Sequence, residues 1–95
     1  MSQQHIVTTS TIDGVTVGNT TTEVVAANTA RKLLSLVNDS DEAIYIAIGT
    51  PAVMNKGARL NANGGTYNVP ESILIRGAVN AICSSGSKNL TVLEA

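Results

Sequence analysis

The chain has no tryptophan, no phenylalanine, one histidine and one cysteine. A single cysteine, Cys83, closes no internal disulfide and builds no cysteine-based zinc site. It is expected to act as a small buried hydrophobe. A single histidine, His5, near the start of the chain, leaves Cys83 and the serines without a general base. No Gly-x-Ser-x-Gly elbow is present either, so nucleophilic catalysis lacks its parts. Charge is also scarce, at 14% of residues, with six Lys and Arg against seven Asp and Glu. There is no basic run to displace counterions from a phosphate backbone, which disfavours nucleic acid as a partner. No apolar stretch approaches the ~18 residues of a membrane span. Residues 1–10 are polar and show neither the basic start nor the apolar core of a secretory signal.

What is present is aliphatic. Ten Val, eight Ile and seven Leu dominate an apolar fraction of 43% in 95 residues. That composition suits a single folded domain. Small domains close the gap between burial and chain entropy poorly. With neither disulfide nor evident metal or cofactor site, oligomerisation is the staple that remains, and the first functional indication is assembly.

Residues 1–30 hold eight of the eleven Thr, with short apolar pairs set between Thr, Asn and Gly. Thr and Val favour extended backbone, and Val15 and Val17 are spaced by two. The segment 1–22 is therefore read as an extended N-terminal arm that pairs outside its own domain, with residues 23–95 as the body. In the body, strands are expected at 31–37, 43–48, 52–54, 58–60, 66–69, 73–75, 78–83 and 88–93. Asn63-Gly64-Gly65 and Ser84-Ser85-Gly86-Ser87 read as hairpin loops. Short strands with turns every 8–12 residues predict an all-β, compact β-sandwich or jelly-roll-like fold. Helix competes over 22–37 and 71–81.

Two strands are apolar on both faces. Ile44, Ile46 and Ile48 share one face of the second strand, and Ala43, Tyr45 and Ala47 share the other. Leu34 and Leu36 oppose Leu33 and Val37 in the first. A small sandwich has one interior layer. Leu33, Val37, Tyr45 and Ala47 are therefore expected at a subunit interface, unless the chain covers them itself. Asp39, Asp41 and Glu42 crowd one loop, but it is short for calcium and lacks the Gly of the sharp turn; a solvated turn is expected. Glu71 and Glu94 are not placed as a glycosidase pair. Tyr67 beside the Asn-rich loop is the one cue for sugar binding, against the commoner packed cross-strand Tyr.

From Arg31 onward the order of motifs resembles small virion proteins of tailed bacteriophages. It runs Arg31-Lys32-Leu33-Leu34, Val37-Asn38-Asp39-Ser40, Ile44-Tyr45-Ile46 before Gly49, then Asn55-Lys56-Gly57-Ala58-Arg59-Leu60. It continues through Asn63-Gly64-Gly65-Thr66-Tyr67, Gly77 to Ile82, and Ser85-Gly86 before Leu90-Thr91-Val92-Leu93-Glu94. The resemblance implies a capsid decoration (cement) or other head-associated protein with a β-sandwich body, often trimeric, made in the host cytoplasm and resident in the virion. It implies the major capsid protein as partner and no catalytic residues. On that reading Ile6, Val7, Ile12, Val15 and Val17 of the arm contact the capsid. Strand addition to a neighbouring sheet edge would supply affinity, and several arms acting together would supply avidity. A tail, neck or fibre component, or a small receptor- or carbohydrate-binding module, is the alternative expectation.

Overall fold

The computed structural model describes residues 9–69 and 76–95. Among these residues run eight strands: β1 (Thr11–Val17), β2 (Thr22–Val25), β3 (Leu34–Asn38), β4 (Ile44–Ile48), β5 (Ala58–Leu60), β6 (Gly65–Val69), β7 (Val79–Cys83) and β8 (Lys88–Glu94). No helix occurs among the described residues. The expected strand at 73–75 lies outside them.

The strands form two four-stranded sheets, ordered β1-β8-β3-β6 and β2-β7-β4-β5. Every pairing is antiparallel. The pairs β1–β8, β2–β7, β3–β6 and β4–β5 make the chain one long ribbon folded at its middle. Wrapping that ribbon on itself adds β3–β8 and β4–β7. This strand order is that of an eight-stranded jelly roll, which places the fold in the expected all-β sandwich class.

The wrap changes the meaning of two turns. Asn63 and Gly64 adopt positive φ, at 60° and 114°, and Ser87 and Gly86 do so at 56° and 84°. The turn chemistry is as the sequence indicates. Both turns, however, connect strands of different sheets, β5 to β6 and β7 to β8, so neither closes a hairpin. Local φ fixes a reversal of direction; the partner strand is chosen by the fold as a whole.

Side-chain alternation builds the interior. Leu34 and Leu36 of β3, Leu90 and Val92 of β8, and Val17 of β1 face Ile44 and Ile46 of β4 and Val79, Ala81 and Cys83 of β7, all buried in one cluster. The inner face of β4 is the Ile44, Ile46, Ile48 face, as the spacing predicts. Among the described residues two polar side chains are sealed in. Asn38 donates through Nδ2 to the carbonyls of Glu42 (2.8 Å) and Leu60 (2.9 Å) and accepts from the Ser40 hydroxyl. Arg31 is fully buried, with Nε 2.6 Å from Glu94 Oε2 and Nη groups donating to the carbonyls of Gly77 and Ala26.

The arm boundary is corrected. Residues 11–17 pair along their whole length with β8, from Thr11 opposite Glu94 to Val17 opposite Lys88. They belong to the body because that pairing satisfies main-chain groups of both strands and buries Val17 completely. Ile6 and Val7 lie outside the described residues.

Candidate functional site: the bare face of the β1-β8-β3-β6 sheet

The two sheets treat their outer faces differently. The outer face of the β2-β7-β4-β5 sheet is covered by the chain itself. Tyr45 and Ile82, each 8% exposed, pack with buried Ala52, and Ala43, Ala47 and Met54 complete this second cluster. The segment 49–57 forms the cover. It is not the strand expected at 52–54. The Ala52 N–H donates to Thr21 Oγ1 (2.8 Å), Asn80 Nδ2 donates to the Thr50 carbonyl (2.7 Å), and the Tyr45 hydroxyl meets Asn55 Oδ1 at 3.1 Å. Tyr45 and Ala47, assigned from sequence to a subunit interface, thus have a partner within their own chain. Their apolar pattern was genuine; its cover comes from residues whose loop character hides their role.

The outer face of the other sheet has no such cover among the described residues. Register places Ile12, Gly14 and Thr16 of β1 beside Leu93, Thr91 and Asn89 of β8. Ser35 and Val37 of β3 follow, then Asn68 and Thr66 of β6. None of these outward side chains is charged. Ile12 is 75% exposed and Leu93 37% exposed. A shallow groove of about 630 Å³ lies alongside the adjacent Ile12 and Leu93, lined by Gly14, Ser35, Val37 and Thr91, with Asp13 of β1 at its margin. Gly14 deepens it because it has no side chain. The polar rows are partly satisfied in place: the Ser35 hydroxyl meets Asn68 Oδ1 at 2.7 Å, and Thr91 Oγ1 donates to the Val37 carbonyl.

The residues assigned to function from sequence separate accordingly. Ile12 and Val37 come together on this face, although the first was given to the arm and the second to a subunit interface. Leu33 is half-buried just before β3, its main chain paired with Ala95. Val15 is half-buried against the core and Val17 is fully buried, so Val17 offers no surface to a partner. Leu93 was missed. It reads as one apolar residue in a closing strand, and only pairing with β1 sets it beside Ile12. Tyr67 is half-buried against the main core, opposite Leu36, and is not an exposed stacking platform.

The acidic turn at 39–42 is engaged internally. Both Glu42 oxygens accept from Ser85, from its N–H and its hydroxyl, each at 2.7 Å. These bonds hold the Glu42 carboxyl below its ordinary range. Asp41 Oδ1 lies 2.6 Å from Lys88 Nζ, and that hydrogen-bonded ion pair lowers the Asp41 carboxyl and raises the Lys88 ammonium. Among the described residues no group of His, Cys, Asp and Glu is placed to hold a metal ion. The Cys83 thiol is buried, which pushes its pKa up and keeps it a poor nucleophile.

No protein-family model, no curated protein and no solved structure matches this chain.

Proposed function

We propose that this chain is a structural virion protein of a tailed bacteriophage, a capsid decoration (cement) protein that docks on the head surface and stabilises contacts between capsomers. The observation that carries this reading is the asymmetry of the two outer faces. One sheet is sealed by its own chain, whereas the other has no such cover among the described residues, carries no charge at its outward strand positions and exposes Ile12 and Leu93 beside each other. Exposed apolar side chains in a continuous patch mark an interaction surface. The absence of like charge suits a surface that meets many copies of one protein partner. Eight-stranded jelly rolls also serve in viral capsid and lectin domains, which is support at the level of fold alone. The order of motifs from Arg31 onward supports the virion assignment. The major capsid protein is the partner, and a homotrimer is the favoured assembly.

The mechanism is mechanical. Burying Ile12, Leu93 and Val37 against the capsid removes apolar area from water, and attachment of several subunits at once multiplies the gain. The test is co-sedimentation with purified heads stripped of this protein. The wild-type chain should pellet with the heads, and the Ile12→Asp, Leu93→Asp double variant should bind at least about tenfold more weakly, as expected for charges forced into a dry contact. Equal binding by the double variant would remove the sheet face from the mechanism. A chain that ignores heads but binds host-cell surfaces would be a tail or fibre component instead.

A further inference from the structure

We propose that the open edge of β1 is self-complementary and that Asp13 keeps it from pairing with a second copy of this chain. β1 is the outer strand of its sheet, with β8 on one side. The Gly14 N–H donates to the Asp13 carboxylate, Oδ1, at 2.8 Å. The Gly18 N–H donates to Thr22 Oγ1. Both N–H groups therefore point away from β8, and alternation along an antiparallel strand puts those of Ile12 and Thr16 on the same side. Toward Gly18 the edge is closed by the turn into β2 and by the Cys83 N–H, which donates to the Gly18 carbonyl. Among the described residues nothing pairs with the stretch from Ile12 to Thr16 on that side.

That stretch has a two-fold solution. If two β1 strands meet antiparallel with Gly14 opposite Gly14, Ile12 lies opposite Thr16. Every outward N–H and C=O of Ile12, Gly14 and Thr16 then finds a partner in the second copy. Such a contact is isologous and joins two four-stranded sheets into one. An exposed strand edge of this kind is a template that folded proteins normally blunt.

Asp13 blunts it in two ways. Its carboxylate occupies the Gly14 N–H, the central donor of the pairing. In the paired register the two Asp13 side chains would also stand on the same face, roughly 7–8 Å apart diagonally. That is within the screening length of about 8 Å at physiological ionic strength. Asp13 has no ion-pair partner among the described residues to neutralise it. The inference is independent of the capsid reading, since it concerns the edge of the sheet and not its face.

The test is molar mass by light scattering, joined to a position-specific cross-link. Asp13 is exposed, so Asp13→Ala should fold, with an unchanged circular dichroism spectrum, and its mass should at least double relative to wild type. Adding Gly14→Cys to Asp13→Ala should give an inter-chain disulfide under mild oxidation. A hydrogen-bonded antiparallel pair sets Cα atoms about 5.5 Å apart, within disulfide range. Gly14→Cys with Asp13 retained should cross-link at least about tenfold less. Where Asp13→Ala does not fold, Asp13→Val, a good strand former, removes both the charge and the acceptor, and its mass should rise likewise. A folded Asp13 variant with wild-type mass overturns the proposal, as does equal cross-linking with Asp13 present.

Discussion

At the scale of single residues, the largest consequence rests on Arg31. Its guanidinium is fully buried and joins three places far apart in the chain: the Ala26 carbonyl after β2, the Gly77 carbonyl before β7 and the Glu94 carboxylate at the end of β8. A planar fork of donors suits that task, whereas a lysine ammonium on a flexible stem does not. Removing it strands a carboxylate that is only 19% exposed. Arg31→Ala should therefore cost about 3–5 kcal/mol, the typical penalty for breaking a buried pair from one side. Urea unfolding followed by circular dichroism would measure it. A loss under about 1 kcal/mol would mean that water reaches the site and replaces the guanidinium. Nothing in the sequence announces this role: Arg31 stands beside Lys32 ahead of an apolar strand, and the two look alike. Asn38 has the same lesson. It reads as the first residue of a turn, yet its amide joins two carbonyls across the end of the core.

At the scale of elements, the turns after β3 and β7 are clamped to each other. Glu42 accepts two bonds from Ser85, and Asp41 pairs with Lys88. These contacts fix the end of the sandwich where the chain crosses between sheets. The Glu42 carboxyl is held below its ordinary value of 4.5 in the folded chain, chiefly by the Ser85 N–H. The unfolded chain consequently binds the proton more tightly than the folded one. Stability from this carboxylate is complete above pH 4.5 and is lost as pH falls through the lowered native value. Glu42→Gln should lower the melting temperature at neutral pH and flatten its decline on the acid side, read by thermal melts from pH 7 downward. Parallel acid slopes for variant and wild type would show that Glu42 is not coupled to folding. The strands were legible because β-branched alternation and turn residues mark them locally. The cover at 49–57 was not, since Ala52 and Met54 look like a short strand and reveal their function only when seated on Tyr45 and Ile82.

At the scale of the molecule, the wrapping of the ribbon decides what the sequence leaves open. Val37 and Tyr45 both sit on second apolar faces and carry the same local signal. Tyr45 is sealed because the segment 49–57 folds over its sheet, whereas no described residue folds over the face that holds the half-buried Val37. The same wrap brings β1, near the start of the chain, against β8, near its end, so a segment that resembles a detached arm becomes a structural edge. Truncation separates these two descriptions. Removing residues 1–10 leaves every β1–β8 partner from Thr11 to Val17 in place and should leave the urea midpoint unchanged. Removing residues 1–17 deletes a valine that is 0% exposed, worth about 2 kcal/mol by burial alone. It also uncovers Leu90 and leaves β8 as a long unpaired edge. The shorter chain should unfold at distinctly lower urea and self-associate on size-exclusion chromatography. Equal midpoints for the two truncations would return residues 11–17 to the arm and detach Ile12 from the face it shares with Leu93.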